Sequence, residues 1–219
     1  MMFIRMFMRR IGVTGAVVIA ALSVGAPANA VGEDGVGNAG VAAVPASSGQ
    51  VTPVGPLAEC DVYGENTATS DEIRQTGVVR YDEATASCVH DEDVEKNLVK
   101  VQGEGFQLDA FVTAGRQRIR TGEYEVSCEG TATGTTYARF TIRNIRGVTA
   151  PNPVEENATV WVLGTLYGAA AKAKVVFRET LKDGMGGLDL TAMHVYLYGA
   201  DDTPLGHAAI GRASCSPFA

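Results

Sequence analysis

The side chains best placed to titrate near neutral pH in this chain of 219 residues are three histidines, His90, His194 and His207. His90 opens the densest acidic run, His90-Asp91-Glu92-Asp93 with Glu95 behind it, and several carboxylates together can hold a hard cation such as calcium. The spacing fits no calcium loop, so a solvated acidic surface is expected there, and a plain hairpin loop at Asp201-Asp202. His194 alternates with Tyr196, Tyr198 and Leu190, a half-buried strand position that suits a satisfied structural histidine better than a general base. His207 begins the last strand and carries no further signal. There is no Gly-x-Ser-x-Gly, no His-Glu-x-x-His and no phosphate-cradling glycine loop. No catalytic residue is therefore assigned, and neither a metal nor a cofactor is expected.

Cations supply a different chemistry. Arg116, Arg118 and Arg120 alternate on one segment, Arg139 and Arg143 on a second, and Lys172, Lys174 and Arg178 on a third. If those segments are neighbours, the eight side chains form one face suited to phosphate- or carboxylate-bearing polymers such as acidic cell-envelope glycans. The competing reading is ordinary exposed residues paired with Glu123, Glu125 and Glu179. Trp161, the single tryptophan, is either a sugar-stacking platform or, within Val160-Trp161-Val162-Leu163, a core residue.

Strands must carry these side chains, because apolar residues recur with a period of two. Tyr124, Val126 and Cys128 oppose Glu123, Glu125 and Ser127; Ala138, Phe140 and Ile142 oppose the arginines of their segment; Ala173, Val175 and Phe177 oppose Lys172, Lys174 and Arg178. Further strands are expected at residues 76–81, 98–102, 106–113, 117–120, 159–166, 188–198 and 206–213, separated by Gly, Pro, Asn and Asp turns. Residues 87–97 lack a stable apolar stripe and are read as a loop or a single turn. The pattern predicts an all-β fold, an antiparallel β-sandwich or partly closed barrel.

The ends of the chain set its compartment. Residues 1–10 carry Arg5, Arg9 and Arg10 without an acid, residues 11–25 are almost unbroken apolar, and Ala28-Asn29-Ala30 is a small-residue cleavage site, so residues 1–30 read as a secretory signal peptide. The apolar run is too short for a retained span, and no membrane span is expected after cleavage. Removal of the signal leaves 15 basic against 25 acidic residues, a net charge of −10, which excludes nucleic acid as a natural partner. Residues 31–58, built from Gly, Ala, Val, Ser and Pro, read as a flexible leader or stalk. Residues 59–219 then form a single all-β domain, with an acidic subregion at 59–98 and the main sandwich at 99–219. Cys60, Cys88, Cys128 and Cys215 imply two disulfides in an exported chain. Of the three possible connectivities we favour Cys60 with Cys88, stapling the acidic segment, and Cys128 with Cys215, tying an early strand to the last.

The stretch Gly186-Gly187-Leu188-Asp189-Leu190-Thr191-Ala192-Met193-His194-Val195, followed by Leu205-Gly206-His207-Ala208-Ala209-Ile210-Gly211-Arg212-Ala213, resembles the end of the exported proteins called the choice-of-anchor P family. With residues 123–143 and 157–180, the similarity covers roughly residues 99–215. It implies an actinobacterial-type exported β protein, often surface-associated, without an assigned activity or catalytic residues. Ser214-Cys215-Ser216-Pro217-Phe218-Ala219 departs from anchored members in lacking a sorting motif, apolar tail or basic stop. Asn157-Ala158-Thr159 is a glycosylation sequon, expected to be idle in a bacterium.

The expected function is accordingly a secreted, non-enzymatic module of the cell envelope or extracellular space, whose partner is an acidic envelope polymer or a surface protein. Two alternatives stand beside it: a secreted enzyme inhibitor presenting residues 64–75 as a stiffened loop, and a secreted hydrolase, which would need a deep pocket with inward carboxylates.

Overall fold

Alternation alone does not say which strands meet; that comes from a computed structural model, which describes residues 35–218. The described chain has no helix, and hence none long and apolar enough to cross a membrane. Its strands are β1 (Val36–Ala43), β2 (Val54–Leu57), β3 (Cys60–Asp61), β4 (Thr67–Ser70), β5 (Ile73–Gln75), β6 (Val79–Tyr81), β7 (Ala84–Asp91), β8 (Lys96–Gly103), β9 (Phe106–Thr113), β10 (Arg118–Thr121), β11 (Tyr124–Thr131), β12 (Thr136–Ile142), β13 (Ala158–Leu166), β14 (Ala169–Lys182), β15 (Leu188–Gly199) and β16 (Pro204–Cys215).

They form two antiparallel sheets. The first runs β2-β1-β16-β15-β14-β13-β9-β6-β5, with β10 also on β9 and β3 on β1; the second runs β12-β11-β8-β7-β4. The first sheet curls on itself into a half-barrel. Tyr81 of β6, near one end of the strand order, donates its hydroxyl to the Val41 carbonyl of β1, near the other, at 2.6 Å. One end of the curl is closed by the second sheet, where Gly211 of β16 faces Val126 and Tyr124 of β11. Both disulfides, Cys60–Cys88 and Cys128–Cys215, have the expected connectivity, and each joins one sheet to the other.

Four sequence expectations change. Within residues 31–58, the segment from 35 onward is not a leader: β1 pairs with β16 from Gly37↔Ala213 to Ala43↔His207 and is buried along most of its length. Its small residues are there for packing. A Cβ on Gly37 would lie 2.7 Å from Val99, and one on Gly40 would lie 2.4 Å from the Tyr81 ring, so the strand is thin where bulky neighbours cross it. Nor is 59–98 a separate acidic subregion, because β5 and β6 belong to the first sheet while β4 and β7 belong to the second. Residues 87–97 form no isolated loop either; they are the tip of the β7–β8 hairpin, in register from Asp91↔Lys96 onward. Residues 64–75 are largely taken up by β4 and β5 rather than presented as a loop. The segment expected to be a signal peptide, residues 1–30, lies outside the described residues.

Candidate functional site

Four adjacent strands, β13 to β16, bring the chemistry-bearing side chains of distant segments onto the outer face of the first sheet. Register aligns Trp161, Lys174, Tyr196 and His207 in one row, and Leu163, Lys172 and Tyr198 in the next. Ala173, Val175 and Phe177 of β14, and Val195 and Leu197 of β15, fill the inner side and are almost wholly buried. The polar and aromatic positions between them must therefore face out. Trp161 is 54% exposed and Leu163 68%, which corrects the core placement of the tryptophan: Val160 and Val162 take the inward positions instead. The Trp161 and Tyr198 ring centroids are 5.7 Å apart, the Lys172 ammonium stands 5.6 Å from the Trp161 ring, and Lys174 stands 5.5 Å from the Tyr196 ring. Lys172 also pairs with Asp202.

Beside this platform lies a buried polar chain. Glu179 accepts the Tyr196 hydroxyl at 2.6 Å on one carboxylate oxygen and faces His194 Nδ1 at 2.6 Å with the other. His194 Nε2 then meets His207 Nδ1 at 3.0 Å. Burial pushes the Glu179 carboxyl upward, but hydrogen bonds from His194 and Tyr196 and the charges of His194 and Lys174 outweigh it and hold the group below its ordinary value. Burial, then the hydrogen bond to Glu179, raises the Tyr196 phenol far above its usual range. His207 is lowered to about 4, by burial first and the His194 charge second, against the opposing pull of Glu179. Its Nε2 has no hydrogen-bond partner among the described residues. Both histidines line a cavity of about 300 Å³ under the β2 segment, walled by Val41, Val54, Pro56 and Ala209, with Asn38, Glu59 and Arg212 at its polar side. Arg212 is held by Asp189 at 2.7 Å.

Sequence reading found His194 as a satisfied strand histidine but missed its partners. Glu179 was expected only as an exposed partner of the cations, although strict alternation along β14 would put it with Val175 and Phe177 on the inner face. Arg178 adopts a left-handed φ of 50°, which shifts the parity of β14 and delivers Glu179 to the outer side. His207 needed the β15–β16 register, in which Tyr196 lies opposite it.

The eight cations do not share one face. Arg116 sits in the β9–β10 turn with φ 59°, Arg118 is tied to Asp109 at 3.0 Å, and Arg120 pairs through its backbone with Arg146. Arg139 and Arg143 are on β12, at the edge of the second sheet. Arg143 reaches Glu123 at 3.2 Å in a groove that also holds Asp71, Glu83, Glu104 and Glu125, so its surroundings are acidic. Only Lys172 and Lys174 lie on the aromatic face. Arg178 joins Arg139 and Lys182 around Glu156 in a separate cleft of about 520 Å³. Alternation correctly separated wet from dry positions in β10, in β12 and in β14 up to Phe177, but β12 joins the other sheet and β13 intervenes between β9 and β14.

The remaining candidates are structural. His90 Nδ1 is 2.6 Å from Asn97 Oδ1, and the Phe218 ring stacks on it. Asp91 accepts the backbone N–H groups of Asp93 and Val94 in the hairpin tip. Asn157 of the sequon holds Thr180 through both ends of its amide. Among the described residues, no three or more His, Cys, Asp or Glu side chains form a group that could hold a metal ion. The fold and this face define a two-sheet, disulfide-stapled β protein with an exposed aromatic and lysine-bearing surface. No family model matches the chain, and no curated protein or solved structure matches it.

Proposed function

We propose that the protein is an exported, non-enzymatic binding module of the cell envelope or extracellular space, and that it takes acidic glycans on the outer face of β13–β15. The observation that carries this reading is Trp161, held half in water beside Tyr198, with Lys172 near its ring. Large aromatic side chains left exposed together on a rigid surface mark contact sites, because leaving them in water forfeits the burial free energy they would otherwise contribute. Aromatic faces stack on the C–H faces of sugar rings, and Lys172 and Lys174 supply positive charge for carboxylate or phosphate substituents. Two disulfides suit an oxidising compartment, and the resemblance to exported surface proteins agrees with it.

The test is retention on purified acidic envelope polysaccharide at low and high salt, for the parent, Trp161→Ala and Lys172→Glu combined with Lys174→Glu. Trp161→Ala should weaken retention at both salt concentrations, and the charge reversal should remove its salt dependence. Retention equal to the parent's in both variants refutes the assignment.

A further inference from the structure

The cavity beneath β2 has a second chemistry, independent of the aromatic face. We propose that it binds a small, mostly apolar molecule bearing one weakly acidic hydroxyl, a phenol or an enol, and that His207 takes the hydroxyl proton while His194 stores the resulting charge. Three observations combine. The walls are largely aliphatic and the half-open cleft holds about 300 Å³, the lower end of the range for small-ligand pockets. His207 Nε2 is without a partner among the described residues, while its Nδ1 is committed to His194. Behind His194 stands a carboxylate 2.6 Å away that holds the ring in one orientation.

The hydrogen-bond chain sets what His207 offers once His194 is neutral. Its Nδ1–H then donates to Glu179 and its Nε2 lone pair accepts His207 Nδ1–H, so His207 Nε2 presents a lone pair. On binding, the ligand O–H bond breaks and an Nε2–H bond forms on His207. The Nδ1–H bond of His207 breaks in the same transfer and an Nε2–H bond forms on His194. The products are a ligand oxyanion, a neutral His207 with its tautomer exchanged, and an imidazolium on His194 paired with the Glu179 carboxylate. His207, itself a poor cation in this buried position, thus never has to keep the charge.

Every packed element contributes to the local field: Glu179 and Lys174 from β14, His194, Tyr196 and Asp189 from β15, Arg212 from β16, and Glu59 from the β2–β3 connection. Asp189 is neutralised by Arg212, and Tyr196 stays a phenol bound to Glu179. The imidazolium formed on His194 therefore has an ionised carboxylate already in contact.

The probe is 4-nitrophenol, an apolar ring with one acidic hydroxyl whose ionised form alone is yellow. It is titrated with the purified protein at a pH just below its own ionisation. The parent should produce a saturable rise in yellow colour. His207→Ala should weaken the apparent binding by about tenfold, the loss of one hydrogen bond to a charged group. His194→Gln keeps a donor for Glu179 but cannot hold a second proton, so the probe should bind and remain colourless. Trp161→Ala should behave as the parent, which separates this site from the aromatic face. No saturable colour with the parent, equal colour in His194→Gln, or loss of colour in Trp161→Ala overturns the proposal. Histidine ¹⁵N shifts of the unsubstituted protein read the same event: the probe must convert His194 to the doubly protonated form and exchange the His207 tautomer, and unchanged shifts overturn it even if the variants fail to fold.

Discussion

Gly40→Ala separates a structural strand from a flexible leader by a single methyl group. The added Cβ would lie 2.4 Å from Cε1 and 2.7 Å from Cδ1 of Tyr81. That ring cannot swing aside, because it is 1% exposed, packs on Phe106 at 5.2 Å between centroids, and is tethered through its hydroxyl to Val41 at 2.6 Å. Overfilling a packed site costs about 1–3 kcal/mol. Displacing the ring enough to break its hydrogen bond adds about 1 kcal/mol. The expected loss is therefore about 2–4 kcal/mol, a large fraction of the stability of one domain. In an unstructured leader the same change would be neutral, since the unfolded and native states would be equally free there. Urea unfolding followed by far-ultraviolet circular dichroism measures it, with an unchanged slope expected and a lower midpoint. Gly184→Ala is the control: nothing lies within 4 Å of its added Cβ, and it should match the parent. A Gly40→Ala midpoint indistinguishable from the control would show that β1 does not pack as described.

The same packing and charges set four other outcomes. Trp161→Ala should leave the urea midpoint almost unchanged, because more than half of the side chain already meets water. In the chain-entropy account, opening Cys128–Cys215, with a separation of 87 residues, should cost about 4.6 kcal/mol, against about 3.6 kcal/mol for Cys60–Cys88 with 28; unfolding of the two Cys-to-Ser pairs tests the ranking. Acid should destabilise the protein. His207 falls from 6.5 to about 4 on folding, so the unfolded chain binds its proton first, and up to about 3 kcal/mol is lost as pH falls through that window. Glu179, also lowered, adds to the loss below the ordinary carboxylate range, and thermal melts from pH 7 to 3.5 should show the decline beginning near 6.5. His207→Phe should flatten the upper part of that decline.

What the sequence disclosed follows from how local each feature is. Strand faces at Tyr124–Thr131 and around Phe177 were legible because burial imposes a period of two on neighbouring residues. The disulfide pairing was legible because Cys60 and Cys88 bracket one segment while Cys128 and Cys215 lie on an early and the last strand of the rest, and the parity of Cys128 with Tyr124 and Val126 points it at the core. β1 was not, since a strand made thin by crossing Tyr81, Val99 and Val101 has the composition of a linker. The Glu179–His194–His207 chain was not legible, because it depends on the β14–β15 and β15–β16 registers and on one left-handed residue, Arg178, that breaks the alternation along β14. The cationic face failed for a different reason: charge parity was right within strands, but neighbourhood is a property of topology.

The two disulfides also give the molecule a mechanical character. β1 runs antiparallel to β16, with Gly37 opposite Ala213, so a pull on residues preceding β1 would unzip its hydrogen bonds one pair at a time, the weakest way to load a sheet. Unzipping would proceed through β1 and β2 and halt at Cys60, where the chain is bolted to Cys88 on the other sheet. A pull beyond β16 would bypass that strand altogether, since Cys215 hands the load to Cys128 and β11. Under tension the protein would lengthen by one short, defined slack segment and then stiffen, leaving the β13–β15 face in place while the chain around it is stretched.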